Sequence, residues 1–530
     1  MRTFLLDLIL ATAILTLLGC TPPQVTQGQI TVGLVADGKA FQVQVSAGST
    51  VQDALNRAGI TLSNLDRVDP PAYTILSEGT NIRVVRVTEE FEIEQVVIPF
   101  ERQVLRNETL PEGETRLSQP GANGLQENTY RRVFEDGAEI SRSIVRSLIV
   151  QESVPEIVMV GSQTPYLSLT IPGRLVYLSG GNAWVMEGTT GNRRPVVTSG
   201  DLDGRVFGLS PDGRWLLYTR AEKENGKINT LWAARVDPES SLVVDFKAAN
   251  IQHFAQFSPG ANSVAYSTVE PRVTAPGWQA NNDLNLVKLN ESGFLGNMEN
   301  VMETNSGGVY GWWGTSFAWG PDGTSLALSR PDGVGLIDII DGMQKILLEL
   351  LPFQTGGDWA WVPGLNWSPD GKFLFTVAHS APEGSQSPET STQFDLVAVP
   401  VEGGAAIRLA TQVGMFAYPV ASPLQNMQDQ VTNNYQLAYL QAFSPAQSET
   451  SRYRLIVMDR DGSNRRLLFP AEGEQGLDPQ EVVWSPQALT VEGSYVIAMI
   501  HQENIWLVDL QNGQAQQITG DGLITRIDWR

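Results

Sequence analysis

Side chains able to do covalent chemistry are scarce in this sequence. Its three histidines, His253, His379 and His501, stand far apart, with no pair at the spacing of metal ligands. No Gly-x-Ser-x-Gly turn is present to lift a nucleophilic serine above a sheet. The Asp-Gly pairs lack the ligand series ending in Glu that a calcium loop needs. No glycine-rich phosphate loop follows a strand and opens a helix. Asp212, Asp322 and Asp370 sit in Pro-Asp-Gly phrases and read as turn formers rather than acids. Cys20 is the single cysteine, so no internal disulfide or thiolate metal cage can form. We therefore expect no catalytic residue, no metal and no cofactor. Aromatic residues offer a different chemistry, stacking on sugar rings or peptide side chains. Tyr310, Trp312, Trp313, Trp359, Trp361, Phe416 and Tyr418 gather before short apolar runs, and Trp278 lies in a long excursion over 270–282.

The elements that would position these aromatics come from a repeat. Residues 207–219, Phe-Gly-Leu-Ser-Pro-Asp-Gly-Arg-Trp-Leu-Leu-Tyr-Thr, read as strand, tight turn and strand. The phrase returns around Ser258, Gly320, Ser368, Ser422 and Ser485. With Ser210, these markers are spaced by 48, 62, 48, 54 and 63 residues. Units of roughly 40–50 residues with four short strands are the blades of a β-propeller. In one unit, Phe317-Ala-Trp, Ser325-Leu-Ala-Leu, Gly335-Leu-Ile-Asp-Ile and Gln344-Lys-Ile-Leu-Leu supply the four strands, with Asp341-Gly342 turning the last hairpin. Asp461-Gly462, Asn512-Gly513 and Thr190-Gly191 are expected to turn the same hairpin elsewhere. The array opens on second and third strands at 175–179 and 183–187, and 523–530 matches an inner strand. That strand should complete the first blade, giving seven blades, with six or eight as the alternative. Loops before inner strands share a face with loops between second and third strands. The aromatics and the excursions 222–227, 270–282 and 380–392 therefore fall on one rim, where we expect a binding face. The alternative is that these tryptophans plug the channel or pack between blades.

Before the array, Ile30-Thr-Val-Gly-Leu-Val and Phe41-Gln-Val-Gln-Val-Ser alternate as strands around Asp37-Gly38. Ser49-Thr50 caps a helix whose Val51, Ala54, Leu55 and Ala58 share a face, and Gly59 ends it. Asn81-Ile-Arg-Val-Val-Arg-Val is the last strand of this small β-grasp. Glu89-Glu-Phe-Glu-Ile-Glu then opens a stretch punctuated by Gly113, Gly121, Gly124, Gly137 and Gly161. Glycines there relieve crowding at turns and bulges of a β-ribbon. With little room for a core, an elongated shape is expected of this stretch. At the start of the chain, Met1-Arg2, an apolar run over 8–19 and Leu17-Leu18-Gly19-Cys20 have the features of a signal peptide, too short to span a bilayer.

Several of these phrases resemble known families. Leu17-Leu18-Gly19-Cys20 resembles the lipobox of bacterial lipoproteins, which implies cleavage before Cys20, acylation of its thiol and export. Residues 29–88 resemble the ubiquitin-like module of cell-wall-acting resuscitation factors. Residues 89–163 resemble the five-glycine G5 domain, down to Ile157-Val-Met-Val-Gly161. That likeness implies an envelope setting and binding of N-acetylglucosamine-containing glycans such as peptidoglycan, or else a stalk. Residues 174–530 are similar to TolB-like Pro-Asp-repeat propellers.

These readings divide the chain into a signal peptide (1–19), a tether (20–28), a β-grasp module (29–88), a G5 domain (89–163), a linker (164–173) and a propeller (174–530). The fold class expected is mainly β. No hydrolase domain like that of some propeller peptidases is expected. A net charge of −22 leaves nothing to neutralise phosphates, so nucleic acid is excluded as a partner. The expected function is a lipid-anchored, non-enzymatic envelope protein that binds wall glycan or a protein. The alternatives are a propeller hydrolase or lyase using channel acids, and an envelope scaffold that docks other proteins.

Overall fold

The computed structural model describes residues 28–107, 110–161, 166–222, 226–355, 357, 359–427, 430–489 and 494–530. Cys20 and the segment 1–19 lie outside the described residues. The protein is mainly β and divides into two units, Met1–Leu105 with Thr115–Val160, and Arg106–Glu114 with Gly161–Arg530.

The first unit begins with a four-stranded sheet in the order Lys39–Ser46, Gln29–Ala36, Asn81–Val85 and Arg67–Asp69. Gln29–Ala36 pairs antiparallel with its hairpin partner and parallel with Asn81–Val85. Asp37 and Gly38 turn that hairpin with φ of 53° and 72°, as a two-residue loop demands. Helix α1 (Val51–Arg57) starts on Thr50, whose hydroxyl accepts from the Asp53 amide while the Asp53 carboxylate accepts from the Thr50 amide. This reciprocal cap satisfies two helix-end donors. Val51, Ala54 and Leu55 then pack onto Val32, Leu34, Val43, Val45, Ile82 and Val84. The short strand Arg67–Asp69, too polar to announce itself, was not expected.

Next in the same unit, Val87–Ile98, Gly124–Glu135 and Ala138–Gln151 form a three-stranded antiparallel sheet. Every residue of Ala138–Gln151 is exposed. Its register slips three times, leaving Ile140, Val145 and Val150 without a partner opposite. Such bulges, five residues apart, twist a free edge away from pairing with another chain. Arg102–Asn107, Glu156–Gly161 and Thr115–Gln119 make a second small sheet.

Besides two two-stranded hairpins, the second unit holds seven successive sheets of three or four strands among the described residues. Sheet 1 is Asn182–Val197, Thr170–Ser179 and Ile524–Trp529. Sheets 2 to 7 are four-stranded antiparallel meanders that start at Leu202, Ala255, Ser316, Leu365, Val420 and Val483. The expected pairing is present: Leu175 to Ser179 run antiparallel to Trp529 back to Ile524. Apolar side chains fill the gaps between consecutive sheets. Val176 and Leu178 meet Leu216 and Tyr218 between sheets 1 and 2. Leu217 and Ala233 meet Phe257 and Val264 between 2 and 3. Phe254 and Ala265 meet Phe317 and Leu328 between 3 and 4. The succession continues through sheets 5, 6 and 7, and strands Val483–Trp484 and Val496–His501 of sheet 7 touch Ile524–Trp529 of sheet 1.

Two copies of the repeated phrase share one local structure. Ser210 Oγ accepts from the Trp215 amide at 2.9 Å, and Ser368 Oγ accepts from the Phe373 amide at 2.9 Å. Both hydroxyls donate to the following Asp212 or Asp370, and both serines are fully buried. Gly213, Gly323 and Gly371 take φ near +70°. A Cβ on Gly323 would meet Pro259, and one on Gly371 would meet Pro321. The turns of sheets 4 and 5 thus nest against those of sheets 3 and 4. One hairpin departs from expectation. Thr190-Gly191 does not turn the chain into a fourth strand, because Asn182–Val197 continues as one long strand paired to Thr170–Ser179 alone.

Candidate recognition face

In a four-stranded meander the approach to the first strand and the turn between the second and third lie at the same end. Sheet 3 extends that turn into a hairpin, Val269–Pro271 with Trp278–Ala280. It reaches the short helical turn Gly311–Trp313 that precedes sheet 4. Asn282 holds the two together, donating to the Gly311 carbonyl at 2.8 Å and accepting from Thr315 Oγ1 at 3.0 Å. Trp278 consequently stands edge-on to Trp313, ring centres 6.0 Å apart. Arg272 is fixed by Glu270 and Gln279, and its guanidinium lies 6.0 Å from the Trp312 ring, which is 37% exposed. Tyr310 precedes this turn and is half-buried. His253, not anticipated here, meets Trp278 edge-on at 4.6 Å. Burial first, then the charge of Arg205, pushes its imidazole down to about 4. It therefore serves as a neutral spacer that props Trp278.

The other four aromatics form a separate group around sheets 5 and 6. Trp361 corrects the sequence reading, since it is 3% exposed and packs in the core. Its indole donates to the Met415 carbonyl at 3.2 Å and meets Phe394 edge-on at 5.1 Å. An indole so enclosed cannot stack on a ligand. Trp359 is half-buried against the same core. Phe416 stacks on Tyr418 with ring centres 6.1 Å apart. Burial, then the nearby Glu481 carboxylate, pushes the Tyr418 hydroxyl up to about 12. The inner-strand tryptophans are structural as well: Trp367 and Trp484 donate to the Ala318 and Val420 carbonyls of the preceding sheets.

Charged groups converge on the same end of sheets 7, 1 and 2, and sequence reading missed them. A cavity of about 360 Å³ is lined there by Leu178, Gly181, Leu202, Gly204, Glu503 and Arg526, among others. Glu481 lies close enough to feel Arg526. Burial raises its carboxyl, Arg526 lowers it and Asp528 raises it, and the net direction is up. Its residue is exposed to solvent. No single-residue signal marks these groups, because three sheets contribute them.

The remaining histidines are packing residues. His379 lies between the Leu351 and Ser391 carbonyls at 2.8 and 2.7 Å, and His501 lies edge-on to Phe469 and Trp506. Among the described residues no group of His, Cys, Asp or Glu is placed to hold a metal ion.

The first unit presents a second surface. On one face of its long three-stranded sheet, Arg142 lies 4.0 Å over the Tyr130 ring and pairs with Glu94 at 3.0 Å. Arg132 beside it pairs with Glu139 and sits over Phe134. Residues 89–163 match the G5 domain family, and residues 32–72 match the G5-linked ubiquitin-like domain. The chain carries a G5 domain. It is 27% identical over 133 residues to resuscitation-promoting factor RpfB of Mycolicibacterium smegmatis, covering 25% of this chain and 36% of that protein. The match thus spans about a third of the relative's length. Among solved structures, the G5 domain of HP0197 is 21% identical, covering 14% of this chain and 99% of that one, with a TM-score of 0.14. A puromycin hydrolase is 14% identical, covering 74% of this chain and 58% of that one, with a TM-score of 0.38.

The five glycines of the G5 domain divide by physical role. Gly113 and Gly137 both take φ of 83° in open space. Gly121, Gly124 and Gly161 instead permit close approach. A Cβ there would strike the Phe100 ring, the backbone around Glu152, or the Pro111 carbonyl.

Proposed function

We propose that this protein is a lipid-anchored envelope protein whose G5 domain binds N-acetylglucosamine-containing wall glycan. Cys20 carries the anchor, and residues 174–530 form a seven-bladed β-propeller that offers a second recognition surface. The carrying observation is the G5 match over 89–163 together with a single-layer sheet whose Tyr130–Arg142 face meets solvent. The Arg142 guanidinium covers the Tyr130 ring, and the charged groups around it can bond sugar hydroxyls. The propeller reading is supported by the seven successive sheets and by the contact of sheet 7 with Ile524–Trp529. The Trp278–Trp312–Trp313 group is its proposed binding face. Co-sedimentation of the full chain with purified peptidoglycan tests the glycan reading. Retention of the wild type, reduced in Y130A and R142A, supports it; failure of the full chain to sediment overturns it.

A second reading, hydrolysis or elimination on an envelope polymer, draws on one observation. Glu481 is a solvent-reached acid whose carboxyl is raised, chiefly by desolvation, as general acids often are. Product release from wall polymers, lost in E481Q, would favour it over simple binding.

A further inference from the structure

We propose that the cavity between sheets 7, 1 and 2 binds a small zwitterion, a free aliphatic amino acid or a dipeptide, with Arg526 taking its carboxylate. The cavity is preformed by bonds between the elements that wall it. The Leu202 amide donates to the Gly181 carbonyl at 3.2 Å, and the Ile524 amide donates to the Glu503 carbonyl at 3.0 Å. Ser179 Oγ donates to Asp521 at 2.6 Å. Gly204 has φ of 67°, and the space beside it is taken by Leu178 and the Arg526 stem.

The guanidinium is held in place without being neutralised. Arg526 Nε donates to the Gly204 carbonyl at 2.8 Å and Nη1 to the Thr525 carbonyl at 3.0 Å. Among the described residues Nη2 has no hydrogen-bond partner and Arg526 forms no ion pair, although the Glu481 carboxylate lies close enough to feel its charge. A guanidinium fixed by neutral carbonyls keeps its charge and its outer edge for a planar carboxylate. Glu503 also lines the cavity, is exposed, and among the described residues makes no ion pair or hydrogen bond through its own carboxylate. Asp203 is engaged internally. Its Oδ1 accepts from the Arg205 amide and from Thr219, and its Oδ2 accepts from Asn229.

Charge selects among ligands. One cation beside two carboxylates repels a phosphate dianion, whereas a carboxylate joined to an ammonium meets Arg526 and Glu503 together. Leu178, Leu202 and Leu523 supply the apolar wall for an aliphatic side chain. No aromatic ring lines the cavity, so a sugar would find no stacking partner. The volume lies at the small end of the range for ligand pockets, about 300–1,000 Å³.

Calorimetric titration of the full chain with L-alanyl-L-leucine tests the proposal. Saturable binding is expected, weakened about tenfold or more by C-terminal amidation of the dipeptide and by R526Q. N-terminal acetylation and E503Q should weaken it as well. Absence of saturable binding at millimolar dipeptide overturns the proposal, as does equal affinity for the amide. Should R526Q fail to fold, the amidated and acetylated ligands and E503Q, at an exposed turn, still decide the question. Wall sedimentation is independent of this cavity, so its failure would not count here.

Discussion

Arg174 and Arg530 exchange both of their backbone hydrogen bonds, the Arg174 amide donating to the Arg530 carbonyl at 2.7 Å and the Arg530 amide to the Arg174 carbonyl at 3.0 Å. Trp529 follows from this register. It faces Leu175, is 1% exposed, and its indole donates to the Pro172 carbonyl at 2.7 Å. Truncating it leaves a cavity between sheets 7 and 1. Trp529→Ala should cost about 3–5 kcal/mol, read as a lower urea midpoint for the second unit. A midpoint equal to wild type would mean that this strand adds nothing to the sheet it joins.

Arg86 and Asp66 make the first unit acid-sensitive. Burial raises the Asp66 carboxyl, but the Ser63 and Val87 amides and the Arg86 guanidinium outweigh it and hold it at about 2. Its unfolded value is 3.8, so the folded state binds the proton more weakly. The contribution is complete above pH 3.8, declines as pH falls, and is gone below about 2. Its size is about 2 kcal/mol. Asp66→Asn should flatten this part of the pH–stability curve; an unchanged acid limb would exclude the group.

Trp312 and Trp361 separate recognition from packing. Trp361→Ala should cost about 3–5 kcal/mol, as for other buried aromatics. Trp312→Ala, at a partly exposed ring, should leave stability within about 0.5 kcal/mol. Thermal melts of the two variants check this, and a large loss at Trp312 would turn it into a core residue.

Gly137 and Gly161 should respond differently to alanine. At Gly137 only the positive φ is at stake, worth about 1–2 kcal/mol. At Gly161 the Pro111 carbonyl occupies the space a Cβ would need, so the backbone must move and the loss should be larger. Denaturant titration of both variants tests the order.

The fold was legible where local chemistry and long-range pairing agree. Ser49-Thr50 marked the helix start, and Ser-Pro-Asp-Gly marked the inner hairpins, although the Asp53 half of the cap and the buried serine as the hub of the hairpin turn went unread. The bulges at Ile140, Val145 and Val150 left no trace, because an exposed bulged strand alternates no more clearly than a loop. Thr190-Gly191 misled because glycine after threonine suits a turn and a twisted strand equally. For the site, aromatic type was readable but depth was not. Trp361 and Trp359 are two residues apart, and only the packing of sheets 5 and 6 buries the first. Arg526 and Glu503 line one cavity only because a strand from the far end of the sequence lies beside sheet 1.

That last juxtaposition carries most of the account and can be measured directly. Antiparallel alternation places the amides of Val176, Asp528 and Arg530 in hydrogen-bonded pairs. Native-state hydrogen exchange on the full chain should find them protected as strongly as the inner strands of sheets 2 to 6. Exchange of Asp528 and Arg530 at the rate of a free peptide would contradict the pairing of the last strand with sheet 1, and with it the proposed propeller and its cavity.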